Sequence, residues 1–209
     1  SIPGLANLQM NSIDEAFVPT PEQSFPLGIN PAGVTESYST SPPVSLYGST
    51  KVTSEHLALE YGQTFQFPVW VNRCGVMAGA GQFGHPAQGI FAYWVHSFRE
   101  GAPLKYIGFG GTGHQVRDCL HPRDLIPLLK SQLSNTRHWP LECRISNVSG
   151  GLSSAMSLAQ LTRWCTERYP DSDTISSLAT HHSPLENRPF DIPWMVLDST
   201  LCQSTWDWQ

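Results

Sequence analysis

Apolar and polar positions follow two alternating periods along this chain, and together they predict an α/β layout. Residues 48–62 carry helical spacing, with Gly62 as the expected stop. Residues 67–78 are mostly apolar and read as a buried strand running into a glycine-rich loop. An aromatic-rich helix is predicted over 90–99, ending near Gly101. Residues 105–109 and 114–120 are strand-like runs around a glycine turn. Residues 123–133 read as helix, 144–148 as strand, 157–169 as amphipathic helix and 194–197 as a short apolar segment. Residues 1–45, rich in Pro, Ser, Asn and Gly, lack sustained periodicity and read as long irregular connections. Strands alternating with helices give an α/β class, with too few strands for a complete doubly wound sheet.

Composition narrows the function. Charged residues make up 14% of the 209, against a usual ~25%. The net charge of -5 and 12 thinly spread basic residues argue against a nucleic-acid partner. No apolar run reaches the ~20 residues of a membrane span. Five cysteines without a CxxC pair, and no charged-then-apolar leader, suit free thiols in a reducing, cytoplasmic setting. His181-His182 is the one histidine cluster and has no partner at metal-ligand spacing, so no metal is expected.

The chemistry concentrates at Tyr47 and Lys51 in the stretch YGSTKVTSEHLALEYG, which reads as helix and puts residues four apart on one face. An ammonium beside a phenol stabilises the charge left when the phenol gives up its proton. Such a pair can take or return a proton on a sugar hydroxyl while a hydride leaves the same carbon. Two segments match GxGxxG, one at Gly79, Gly81 and Gly84, the other at Gly108, Gly110 and Gly113. Pro86 falls where the first would need a running helix, and a strand-like run follows the second. Neither reads as a pyrophosphate cradle. The first is expected to let a loop approach a substrate, the second to make a hairpin turn.

YxxxK at Tyr47, then VNRCGVMAGAGQFG, QVRDCLHPRDL and ENRPFDIPW, resembles in kind and order the extended short-chain dehydrogenases, the NAD-dependent nucleotide-sugar epimerases and dehydratases. The likeness runs over about residues 41–198. It implies the C-terminal part of a Rossmann-like, NAD(P)-binding doubly wound fold with a small substrate-binding lobe. The family's N-terminal glycine-rich cofactor-binding part, and the Ser or Thr that precedes the Tyr, have no counterpart here. Residues 1–209 would be one partial domain.

Carried onto this sequence, the resemblance makes Tyr47 the acid/base and Lys51 its helper and a contact of the nicotinamide ribose. Cys74, Gly75 and Val76 would flank the nicotinamide. Arg117 would meet the nucleotide's phosphate or ribose, and Arg188 with Asp191 would clasp the nucleotide a second time. A guanidinium suits a diphosphate on physical grounds too, as a fixed fork of donors, although Arg188 is equally at home in a surface ion pair and Arg117 less so. Gln82 and Gln88 either contact sugar hydroxyls or are solvated loop residues.

The implied reaction is redox-neutral inversion of a stereocentre on a nucleotide-activated deoxysugar, a CDP-linked hexose inverted at C2, with NAD as cofactor. The alternatives are another nucleotide-sugar 4-epimerase or dehydratase, or a truncated segment that binds nucleotide without turnover. The family also implies a homodimer or higher homo-oligomer.

Overall fold

The computed structural model describes residues 2–85, 88–135, 144–174 and 191–209. A short helix α1 (Ile2–Ala6) precedes two small antiparallel hairpins, β1 (Met10–Ile13) with β2 (Ala16–Pro19), and β3 (Ile29–Asn30) with β4 (Gly33–Val34). Then come α2 (Leu46–Phe65), β5 (Val71–Cys74), β6 (Val76–Met77), α3 (Ile90–Glu100), β7 (Val116–Leu120) and α4 (Leu125–Ser134). β8 (Ile145–Val148), β9 (Ala155–Ser157), α5 (Leu158–Arg168), β10 (Trp194–Met195) and α6 (Thr200–Trp206) complete the order.

Parallel pairing dominates the centre. β5 pairs with β8, β6 with β7, and β10 with the start of β7, all parallel, while β9 lies antiparallel on β7. The expected single strand over 67–78 is in fact two, broken at Gly75. There the chain changes partner from β8 to β7. A side chain at Gly75 would meet the Ser149 hydroxyl and lie 2.8 Å from Asp118 Oδ1, so the crossing requires glycine.

Three other expectations are corrected. Residues 1–45 hold structure of their own: Leu5, Leu8, Ala16, Ile29 and Val34 pack with Val116, Trp194 and Val196 in one buried cluster. Residues 105–109 form no strand. Both edges of β7 are already taken by β10, β9 and β6, so the GFGGTG segment makes a 3-10 turn at Phe109–Gly111 instead of a hairpin. Helix α2 runs past Gly62 to Phe65 and ends at Gln66 in the left-handed region (φ 57°).

α2 starts at Ser45, whose hydroxyl accepts from the Gly48 N–H at 3.1 Å. The helix lies on the surface. Gly62 is its one buried residue, and Leu46, Leu57, Tyr61 and Phe65 stay exposed. On the other side of the fold, α3 and α5 enclose Phe91, Trp94, Phe98, Leu161 and Cys165. Among the described residues no helix is long and apolar enough to cross a membrane.

Candidate active site

A cavity of about 990 Å³ opens between the start of α2, the β5–β6 crossing, α3 and the start of β7. Tyr47, Cys74, Gly75, Val76, Gln82, Gln88, Arg117 and Asp191 all line it. Lys51 sits one turn along α2, its Nζ 5.2 Å from the centroid of the Tyr47 ring. Tyr47 is 69% exposed, so its phenol stands at the cavity mouth, open to a ligand. Arg188 and His181-His182 lie outside the described residues.

The sequence dictates these placements locally. Proline-rich chain delivers residues 42–45 to the start of α2, and Ser45 caps it, which sets Tyr47 in the first turn. Cys74 to Val76 follow from the parallel pairing of β5 with β8 and of β6 with β7, which places the crossing between them at the cavity, as ligand sites on parallel sheets lie at strand ends. The apolar surroundings push the Cys74 thiol up from its ordinary value.

Arg117 lies on β7 with its side chain 26% exposed. Its Nη1 donates to Val116 O at 2.7 Å and to Ile192 O at 2.8 Å, and its Nη2 lies 3.4 Å from Asp191 Oδ1. Burial pushes the guanidinium down, opposed first by Asp191 and then by Asp118. An arginine so placed keeps its charge. Asp118 points the other way and is 1% exposed. Burial pushes its carboxyl up, opposed by the Leu197 N–H at 2.7 Å, by Ser149 and by Arg117. Asp118 ties β7 to the chain after β10 and does not reach the cavity wall.

The far wall is aromatic. Phe91, Tyr93 and Trp94 line it, and Tyr106 stacks behind Trp94 at 5.7 Å with 15° between their planes. Trp94 Nε1 and the Tyr106 hydroxyl both donate to Thr162 Oγ1, at 2.8 and 2.6 Å, and Thr162 donates onward to Leu158 O at 2.8 Å. The polar atoms of Trp94 and Tyr106 are thus satisfied, which holds the Trp94 ring in place. Burial pushes the Tyr106 phenol up.

The last glycine of the first motif serves packing. A side chain on Gly84 would run into the backbone of Ala92 and Tyr93 in α3, so the close approach at this glycine is to a helix. The loop carries Gln82 and Gln88 to the cavity, with Gln82 Nε2 donating to Met77 O at 3.1 Å. Asp124 stands at the N-terminal boundary of α4 and His56 is exposed on α2.

Sequence reasoning missed Gln115, Lys105, Met77 and Met156, all of which line the cavity. Gln115 was findable, because it lies two residues before Arg117, on the same side of an extended chain. Lys105 was not, since its segment has no regular period.

Residues 22–138 match the model of the NAD dependent epimerase/dehydratase family. CDP-paratose 2-epimerase of Salmonella typhi is 31% identical over 123 residues, covering 56% of this chain and 35% of that one. The dTDP-glucose 4,6-dehydratase DesIV of Streptomyces venezuelae, with NAD and TYD bound, superposes with a TM-score of 0.67 at 22% identity, over 88% of this chain and 51% of that chain. UDP-glucuronic acid 4-epimerase from Bacillus cereus, in complex with UDP-glucuronic acid and NAD, gives 0.65 at 21% identity, over 88% and 52%. The chain therefore spans about a third of the curated relative and about half of these solved structures. The shared fold is Rossmann-like, the class that the alternation of strands and helices and the family motifs imply.

Proposed function

This chain belongs to the NAD dependent epimerase/dehydratase family, and from that footing we propose that the full-length protein is an NAD-dependent epimerase of a nucleotide-activated sugar. A CDP-linked deoxyhexose inverted at C2 is the substrate favoured, on the likeness to CDP-paratose 2-epimerase. The observation that carries the reading is the convergence on one cavity of Tyr47, the Cys74–Val76 crossing and the Arg117–Asp191 pair.

The residues present fit the nicotinamide end of the cofactor. The β5–β6 crossing offers a glycine and apolar side chains beside the open phenol of Tyr47, and among the described residues the one carboxylate on the wall, Asp191, is already engaged by Arg117. Bound NAD would supply the acceptor and donor of the hydride. Tyr47 takes the proton from the sugar hydroxyl as that carbon is oxidised to a ketone, and gives it back when the carbonyl is reduced. Lys51, over the ring, offsets the negative charge that develops on the phenol oxygen. Arg117 holds the phosphate end of the substrate, and the aromatic wall excludes water from the exposed ketone.

The test is Tyr47→Phe in the full-length protein, followed by chromatography of a CDP-sugar substrate and its epimer. Removal of a positioned acid/base lowers turnover by about 10²–10⁴-fold. Near-normal turnover would refute the role of Tyr47. Absence of NAD uptake in a calorimetric titration of the full-length protein would refute the epimerase reading itself.

A further inference from the structure

We propose that Gln115 is a specificity-determining residue of this cavity, its side-chain carbonyl oxygen accepting a hydrogen bond from a hydroxyl of the nucleotide sugar beside the phosphate held by Arg117. The inference rests on the function proposed above and adds a ligand contact to that site.

Gln115 lines the cavity and is 9% exposed. Its amide nitrogen donates to Ile107 O at 3.3 Å, but among the described residues its Oε1 is buried with no hydrogen-bond partner. Turning the amide over would set oxygen against oxygen at Ile107, so the orientation is fixed. A buried carbonyl oxygen without a donor is rare in folded proteins, because the loss of its water goes uncompensated. At a cavity wall, the missing donor is a group that the cavity receives.

The neighbours narrow that group. Arg117 lies two positions along the strand, roughly 6.6 Å away along an extended chain, and offers its cation to an anion. Gln82, also on the cavity, repeats the pattern of Gln115: its Nε2 is spent on Met77 O, and among the described residues its Oε1 is buried without a partner. Two acceptors waiting for donors, in a cavity that also presents the cations of Arg117 and Lys105, match a phosphorylated polyol. A ligand without hydroxyl groups would leave both oxygens unsatisfied, and a site built in this way discriminates strongly against it.

Calorimetric titration of the full-length protein and its Gln115→Met variant with CDP-glucose, CDP, UDP and NAD tests the assignment. Methionine keeps the length of the side chain and removes the acceptor. The expected result is an affinity for CDP-glucose weaker by about tenfold or more, with NAD affinity and the thermal midpoint unchanged. A loss shared by CDP and UDP puts the hydroxyl on the ribose, and a loss confined to CDP-glucose puts it on the hexose. Both support the proposal.

A loss with CDP but not UDP would point to the cytosine amino group and overturn it. Unchanged affinity for all four, or a parallel loss for NAD, would overturn it as well and leave Gln115 a packing residue, while the epimerase reading stands. If the unaltered protein takes up none of the nucleotides, both readings fail together. Gln115→Asn, which withdraws the oxygen by one methylene, serves with the same outcomes should the methionine variant not fold.

Discussion

Glu55, midway along α2, grips Arg73 of β5 with both carboxylate oxygens, Nε to Oε1 at 3.0 Å and Nη2 to Oε2 at 2.6 Å. The pair is partly buried, at 24% and 16% side-chain exposure for Arg73 and Glu55. It fixes a surface helix with a single buried residue against the strand that ends at the cavity. Tyr47 rides on that helix and Cys74 on that strand, so the ion pair sets the distance between them. Glu55→Gln is expected to cost about 1.5–3 kcal/mol, the range for hydrogen bonds to charged groups. Urea unfolding measures it, and a midpoint equal to that of the parent would show the pair to be ornamental.

Lys51 offers a sharper test of the chemistry than of the fold. It is exposed, with its ammonium 5.2 Å from the centre of the Tyr47 ring. Lys51→Met keeps the stem and removes the charge. The expected outcome is a fall in kcat of about 10²-fold or more with a urea midpoint within about 0.5 kcal/mol of the parent. A large loss of stability with little loss of kcat would contradict the assignment.

The pattern of apolar positions was enough to locate α3, β7, α4, β8 and α5 to within a few residues, because each buries one face or both. The YxxxK spacing put Tyr47 and Lys51 together for the same local reason. The N-terminal hairpins were illegible. Asp14 and Glu15 turn the first of them with φ of 46° and 60°, a conformation usually signalled by glycine or Asn-Gly. What stabilises that turn lies far off in sequence: Arg163 reaches Asp14 and Glu15 at 3.0 and 2.9 Å, and Gln160 donates to Asp14 O at 2.9 Å. The missing strand at 105–109 failed for a related reason, since only the pairing of β7 with three other strands reveals that no edge is left. Gln115 shows a third limit. Its parity with Arg117 was readable, but its unsatisfied oxygen depends on where Ile107 falls.

Two thiols make stability fall on the alkaline side. Burial pushes Cys165 up to about 11 and Cys202 up to about 12, from an ordinary 9.0. Both are fully enclosed. In the unfolded chain they ionise near 9.0, while in the folded protein they remain thiols well beyond that. Their folded values are raised, so the stability they confer is complete below about pH 9 and is lost as pH climbs through 11 to 12. Urea midpoints are expected to decline above about pH 9, and the decline should be shallower in a Cys165→Ala/Cys202→Ala variant compared with its parent. An identical slope in both would assign the alkaline loss to other groups.

Gly62 is where helix propensity and packing give opposite answers. On an exposed helix, Gly→Ala gains about 1 kcal/mol, and sequence alone would recommend it. Here the chain leaves α2 at Gln66 and doubles back, with the Phe67 N–H donating to Gly62 O at 3.1 Å. A methyl group at 62 would lie 2.6 Å from Val69 Cγ2 and 2.9 Å from Phe67 O. The valine can turn, but the carbonyl belongs to the backbone of the return segment and moves only with it. Overpacking of this kind costs about 1–3 kcal/mol, which outweighs the gain in propensity. Gly62→Ala is therefore expected to lower the urea midpoint, and Gly62→Ala combined with Val69→Ala to recover only part of the loss, because the contact with Phe67 O persists. A stabilised single variant would mean that the return segment yields freely, and that α2 is held at this end by Gln66 and the Glu55–Arg73 pair alone.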